Sequence, residues 1–220
     1  IVIQNTDDIV IRFEQDTEAI LSSFSDAIKK EINLNNGKVL SSVSKLKKGG
    51  EYSIKTPTTV ASVRGTEFLT TFNGKDSVVA VGNGKVNVKR IAGSDELKIA
   101  GKGFTAVAPG KSSTVKLRKL NKIEILELSK FSKTPRVETI EKKTPDELKD
   151  IFKETEKADE KINDEIREII GLTPAEMRAR FGRIDTLFLY NGSVLKGVIA
   201  SRGNIYKILT ESGIVMVDSK

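Results

Sequence analysis

The side chains that do chemistry near neutral pH are unevenly supplied in this 220-residue chain. It contains no histidine and no cysteine, which removes imidazole bases, thiolate nucleophiles, Ser-His-Asp triads and Cys/His zinc sites together. Carboxylates remain, and two of them held a short distance apart could cleave a glycoside. They are densest along residues 146–168, where Asp159, Glu160, Asp164, Glu165 and Glu168 cluster. These acids alternate with lysines as on a solvated helix face, and the loop glycine and odd-position ligands of a calcium site are missing. No metal or cofactor is implied, and the expectation is a protein that binds rather than catalyses.

The second candidate group is a cation. Arg64 stands in the run Thr56-Pro57-Thr58-Thr59-Val60-Ala61-Ser62-Val63-Arg64-Gly65-Thr66-Glu67-Phe68. Pro57 fixes its own φ and biases Thr56 towards an extended backbone, Val60 and Val63 are apolar anchors, and Gly65 permits a sharp turn. A guanidinium beside such a turn can donate to backbone carbonyls and pin it, or can hold a partner's carboxylate or phosphate. Pinning is the expectation, because buried arginines usually satisfy nearby acceptors. Arg64→Ala would then lower stability by roughly 1–3 kcal/mol.

The elements that must position these groups are mainly strands. In residues 1–128, Ile9, Ile11 and Phe13 alternate with polar neighbours, as do Tyr52 and Ile54, Val86 and Val88, Leu97 and Ile99, and Val115 and Leu117. That period of two marks half-buried strands. Turn signals fall between them at Asn36-Gly37, Gly49-Gly50, Asn73-Gly74, Asn83-Gly84, Gly93-Ser94 and Pro109-Gly110. A short helix is admissible only at Thr17–Lys30. Asn36-Gly37-Lys38-Val39 recurs as Asn83-Gly84-Lys85-Val86, and Thr58-Thr59-Val60-Ala61 is echoed by Thr105-Ala106-Val107-Ala108, both 47 residues on. Either a repeated β unit or two uses of one common turn explains this. The all-β region is expected to be a short β-solenoid or a sandwich.

Residues 129–143 read as a polar linker. A helix then starts at Thr144-Pro145-Asp146-Glu147, with Thr as N-cap, Pro in the first position and Glu able to reach back. Its apolar residues run to Ile170, and Gly171 stops it. A second helix opens identically at Thr173-Pro174-Ala175-Glu176 and stops at Gly182. Residues 185–218 alternate in four short stretches separated at Asn191-Gly192, Arg202-Gly203-Asn204 and Ser212-Gly213, the pattern of a small SH3-like or Sm-like meander. The later half of the first helix, with Ile162, Ile166, Ile169 and Ile170, is expected to dock on the second helix and this meander. The organisation is therefore mainly β with a helical connector: 1–128, 129–143 and 144–220.

The motif around Arg64 resembles the FecR family signature, in which a T-P segment leads through V-A-x-V into R-G-T-x-F and then a V-x-x-G-x-V segment. The follow-on here is Val81-Gly82-Asn83-Gly84-Lys85-Val86, and Ile99-Ala100-Gly101 to Val107-Ala108-Pro109-Gly110 is similar to the family's closing strands. The likeness spans about residues 7–118. It implies a FecR-type all-β domain facing the periplasm or cell exterior, with Thr56, Pro57, Val60, Val63, Arg64, Gly65, Thr66 and Phe68 as family motif positions of structural role. Full-length FecR regulators carry a membrane span and a cytoplasmic anti-sigma region. This chain's layout is more similar to FecR-domain envelope lipoproteins.

The expected function is accordingly a non-enzymatic cell-envelope interaction or scaffold module, in the periplasm or as an outer-membrane lipoprotein. Its partner would be an envelope protein or cell-wall component, and any membrane association would come from a lipid anchor upstream of Ile1. One alternative is a periplasmic component of FecR-type sigma regulation. Nucleic-acid binding is the other, suggested by the net charge of +7. Residues 1–133 carry 22 Lys/Arg against 14 Asp/Glu, whereas 184–220 carry 4 against 3. The Sm-like part is thus nearly neutral, and stacking aromatics are scarce, so nucleic acid is disfavoured.

Overall fold

A computed structural model describes residues 1–4, 9–22, 29–46, 48–92, 97–110, 114–135, 143–189, 192–201 and 205–218. The chain forms two compact units, residues 1–155 and 156–220.

The first unit holds β1 (Val2–Gln4), β2 (Ile9–Phe13), β3 (Glu18–Leu21), β4 (Lys29–Val43), β5 (Glu51–Lys55), β6 (Thr59–Val63), β7 (Thr66–Phe72), β8 (Ser77–Asn83), β9 (Lys85–Arg90), β10 (Lys98–Gly101), β11 (Phe104–Ala108) and β12 (Lys116–Lys119). They make one 12-stranded sheet ordered β10-β9-β6-β5-β4-β7-β8-β11-β12, with β2 and β3 also on β4 and β1 on β2. The long β4 changes partners midway: its first half pairs with β3 and β5, its second with β2 and β7. The sheet folds over at this step, and both halves send alternate side chains into one core. Ile32, Leu34, Tyr52, Ile54, Ala61, Val63, Val86 and Val88 meet Ile9, Ile11, Val39, Val43, Phe68, Phe72, Val79 and Val81 there. Of the described ladders only β4–β5 is parallel. Stacked solenoid coils require parallel pairing throughout, so the sandwich is the alternative realised.

The recurrent Asn-Gly-Lys-Val has a specific origin. Asn36-Gly37 is no hairpin turn: it lies inside β4 where the chain passes from one half-sheet to the other. Asn83-Gly84 makes the reverse passage between β8 and β9. Both glycines have positive φ, +97° and +85°, and a Cβ on either would strike a neighbour at under 3 Å. Val39 and Val86 are both fully buried in the one core but in opposite halves. The motif recurs because two crossovers need the same backbone geometry, not because two units stack in equivalent positions.

The short helix admissible at Thr17–Lys30 is not formed where the segment is described: Glu18–Leu21 is β3, and Lys29 and Lys30 begin β4. Residues 23–28 lie outside the described residues, as do Gly93-Ser94. Conversely, Lys122–Ser129 is a helix, α1, continued by a 3-10 turn at Lys130–Lys133. The segment 129–143 therefore starts as ordered structure rather than linker, and 136–142 lie outside the described residues.

The outer face of the β2–β4–β7–β8–β11 half is covered. Leu40, Leu69 and Ala80 pack against Leu120, Leu128 and Phe131, and beside them lies a chain of alternating charges. Arg12 Nε donates to Glu14 Oε1 at 2.7 Å, Lys130 Nζ to Glu14 Oε2 at 2.8 Å, and Lys38 Nζ to Glu127 Oε1 at 2.6 Å. Lys130 Nζ also lies 2.7 Å from Glu127 Oε2, but outside hydrogen-bonding direction, so that contact is Coulombic. A second knot anchors the start of α1: Glu124 accepts both Arg118 terminal nitrogens, the Thr105 hydroxyl and the Asn121 backbone N–H.

Burial alone would raise the pKa of Glu14 and of Glu124. Lys130 and Arg12 outweigh it at Glu14, and Arg118, Asn121 and Thr105 do so at Glu124, so both carboxyls titrate below the ordinary glutamate value. In the unfolded chain they revert to about 4.3. The folded state thus binds fewer protons, and the stability these groups contribute is fully present above that value and lost as pH falls through their folded values. Urea melts at successive pH should show the midpoint holding from neutrality to about pH 5 and then falling through the acid range; a midpoint flat down to pH 3 would contradict this.

The second unit begins within α2 (Pro145–Ile170), since the division falls after Thr155. Both expected capping boxes are present: Thr144 N donates to Glu147 Oε2 at 2.8 Å and Thr173 N to Glu176 Oε2 at 2.9 Å. The later half of α2 docks as expected, with Ile166 buried, Lys207 paired to Glu168 at 3.0 Å, and Leu172 N donating to Thr210 O. Leu172, Met177 of α3 (Pro174–Phe181) and Val198 form a small core with Ile184 and Leu209. Over it lies the antiparallel meander β13 (Asp185–Phe188), β14 (Val194–Ser201), β15 (Ile205–Thr210), β16 (Gly213–Asp218). Asn191 and residues 202–204, read as parts of turns, lie outside the described residues, as does residue 190. Asp159, Glu160, Asp164, Glu165 and Glu168 are strung along α2. No three carboxylates converge on a possible metal position among the described residues.

Candidate functional site

The Thr56–Phe68 motif splits into structural residues and one that is free. Thr56 and Thr59 close a tight turn over Pro57, Thr56 N donating to Thr59 O at 2.8 Å. The Thr56 hydroxyl accepts from Thr59 N at 2.9 Å and shares a hydrogen bond with Ser77 Oγ at 2.7 Å, tying the turn to β8. Val63 and Phe68 enter the core, and Val60 is half-buried on the opposite face of β6. Phe68 meets Tyr52 edge-on, with ring centroids 6.2 Å apart, and the Tyr52 hydroxyl pairs with Ser41 Oγ at 2.7 Å. Thr66 is buried, its hydroxyl donating to Lys85 O at 2.9 Å.

Arg64 differs from all of these. Its side chain is exposed and makes no hydrogen bond or ion pair among the described residues; only its carbonyl is used, accepting from Leu46 N at 2.8 Å. The expectation that it pins carbonyls of its own turn is corrected, and with it the predicted loss of stability on Arg64→Ala. That role falls to Arg90, almost fully buried, which donates through Nη1 to Pro109 O at 3.0 Å and through Nε to Ala92 O at 3.3 Å. Arg90 closes β9 in strict alternation after Val86 and Val88, and that inward register was the signal available in the sequence.

Arg64 instead borders an open cleft of about 600 Å³ lined by Ser42, Val43, Ser44, Lys45, Arg64, Gly65, Thr66, Glu67, Asn83 and Lys85. Three loops make it. The end of β4 supplies Lys45, the β6–β7 turn supplies Arg64, and the β8–β9 turn supplies Lys85. The last two turns touch so closely that a Cβ on Gly84 would lie 2.7 Å from Gly65 O. Thus the R-G-T run and the second Asn-Gly-Lys, separate in sequence, share one site.

Lys45, Arg64 and Lys85 are exposed, and none pairs with a carboxylate among the described residues. The single acid among the lining residues, Glu67, is half-buried, with the Ser42 hydroxyl 3.5 Å from its Oε1. Such a set can bind an anion by a guanidinium fork and two point charges. It offers no pair of carboxylates for acid-base hydrolysis.

A family model described as FecR protein matches residues 1–87, from β1 into β9. No curated protein matches the chain. Among solved structures, two crystal structures of a candidate anti-sigma factor from Parabacteroides distasonis are similar, at 1.65 and 2.50 Å resolution. Each is 12% identical with a TM-score of 0.48, covering 60% of this chain and 58% of that one. The chain therefore spans under two thirds of that protein's length. No helix among the described residues is long and apolar enough to cross a membrane. The family match takes in the whole Thr56–Phe68 motif and the loops of the cleft, and over residues 1–87 the chain is similar to the FecR family.

Proposed function

We propose that this chain is a non-enzymatic binding module of the bacterial cell envelope, whose FecR-type domain presents the Lys45–Arg64–Lys85 cleft to a partner. The observation that carries this reading is the freedom of Arg64. Thr56, Val63, Thr66 and Phe68 in the same motif are spent on holding the fold, whereas the guanidinium is left for a ligand. The chain's lack of histidine and cysteine favours binding over catalysis. A periplasmic or outer-membrane location, through a lipid anchor upstream, belongs to the same proposal. A second reading, a component of FecR-type signalling, is favoured by the family match at residues 1–87; in it the cleft would serve the same receptor role.

The test uses the full chain and its Arg64→Glu variant as baits for detergent-solubilised envelope extract. Arg64 is exposed, so the variant should melt with the wild type. Wild type is expected to retain a partner that the variant releases. Equal recovery by both would overturn the cleft as the working surface, and a protein found wholly in the cytosol on fractionation would overturn the envelope assignment.

A further inference from the structure

We infer that the Lys45–Arg64–Lys85 cleft takes an extended acidic peptide segment; this rests on the binding reading above and gives its ligand class. Three observations point there. First, three exposed cations border the cleft with no carboxylate partner among the described residues. Other lysines of the same unit do have one, Lys38 on Glu127 and Lys130 on Glu14. Three cations against the single acid Glu67 leave the cleft with a net positive charge, and an incoming carboxylate offsets it while gaining charge-assisted hydrogen bonds.

Second, the cleft is not uniformly positive. Glu67 stands among the cations and Asn83 on the rim. A phosphate-rich polymer or an anionic lipid surface presents a dense row of anionic oxygens, which Glu67 repels. A peptide brings carboxylates for Lys45, Arg64 and Lys85 together with backbone N–H donors for Glu67 and the Asn83 carbonyl. Third, β4 is already paired on both sides where it borders the cleft, with β2 and β7, and Leu46 N is taken by Arg64 O. Strand addition is therefore closed there, and recognition must run through side chains, with strong dependence on ionic strength.

The experiment is fluorescence anisotropy of a fluorescein-labelled Glu-Gly-Glu-Gly-Glu peptide on the full chain at low and physiological ionic strength. Arg64→Glu and the double variant Lys45→Ala/Lys85→Ala are expected to weaken binding by about tenfold or more. Lys116→Glu, which makes the same charge change on exposed β12, should weaken it less than about threefold. The neutral double variant guards against misfolding by the reversed charge. An equal loss with Lys116→Glu would reduce the effect to net charge and overturn the inference. So would tighter binding of inorganic pyrophosphate or of phosphatidylglycerol vesicles. If the peptide fails to bind while Arg64→Glu still abolishes capture from envelope extract, the ligand class is wrong and the binding role survives. Failure of both removes the two together.

Discussion

Replacing Lys130 by methionine is expected to destabilise the first unit by about 3 kcal/mol at neutral pH, the lower end of the 3–5 kcal/mol associated with breaking a buried ion pair. Lys130 is 1% exposed and its ammonium bridges Glu14 and Glu127, two carboxylates that are themselves nearly buried. Methionine fills a similar volume, so the change isolates charge from packing. The cost stays at the lower end because Glu14 keeps Arg12 and Glu127 keeps Lys38. The electrostatic origin has its own signature. Lys130 is the foremost of the groups holding the Glu14 carboxyl below its ordinary value, so without it the Glu14 pKa rises. The stability gap between wild type and Lys130→Met should therefore narrow as pH falls through the folded Glu14 value. Urea denaturation at neutral pH and near pH 3 measures both, and a gap independent of pH would mean that packing, not charge, holds the helix down.

Phe68→Ala is expected to cost more, about 3–5 kcal/mol, as for other large-to-small changes at a filled site. The ring is fully buried between the half-sheets and edge-on to Tyr52. Tyr52 cannot swing into the space, because its hydroxyl is tied to Ser41 and burial pushes its pKa upward, so leaving the core as a phenolate is no relief. A cavity therefore remains. Phe188→Ala is the matched control: that ring is 81% exposed on β13 and its removal should change stability by less than about 0.5 kcal/mol. Denaturant titration of both variants decides the matter, and similar losses from the two would contradict the core assignment.

The contrast between these two phenylalanines shows where pattern reading succeeds and where it stops. Local chemistry settled the helix limits of α2 and α3, since Thr144 with Glu147 and Thr173 with Glu176 close their capping boxes within four residues, and Gly171 and Gly182 come directly after the last turns. Period-two alternation likewise sufficed for β9, which buries one face, and for the apolar Tyr52 and Ile54 of β5. The motif Thr56–Phe68 was legible for the same reason: its turn, anchors and buried ring are local. The hidden parts all depend on groups from across the fold. Ile-Glu-Ile-Leu-Glu-Leu in α1 gives no amphipathic pattern of the usual sense, because its buried side carries Glu124 and Glu127 while Ile125 points to solvent. Lys38 and Thr105, brought from distant segments, together with Arg118 and Lys130 nearby in the chain, make that orientation favourable. The Asn121-x-x-Glu124 capping box was the one local clue.

Arg64 and Arg90 make the same point about function. Sequence alone established that the chain has few means of catalysis, that a FecR-type motif is present, and that an arginine in it sits at a tight turn. Alternation with Val86 and Val88 marked Arg90 as facing inward, but did not show that Pro109 O and Ala92 O would meet it there, since those acceptors are brought by the packing of other segments. Nor could sequence alone place Lys45 and Lys85 beside Arg64, since a cleft is built from loops whose proximity comes from the folding of one sheet onto itself. Nearest-neighbour chemistry determines turns and caps, whereas the fate of a charge is decided by the groups that tertiary packing brings to it.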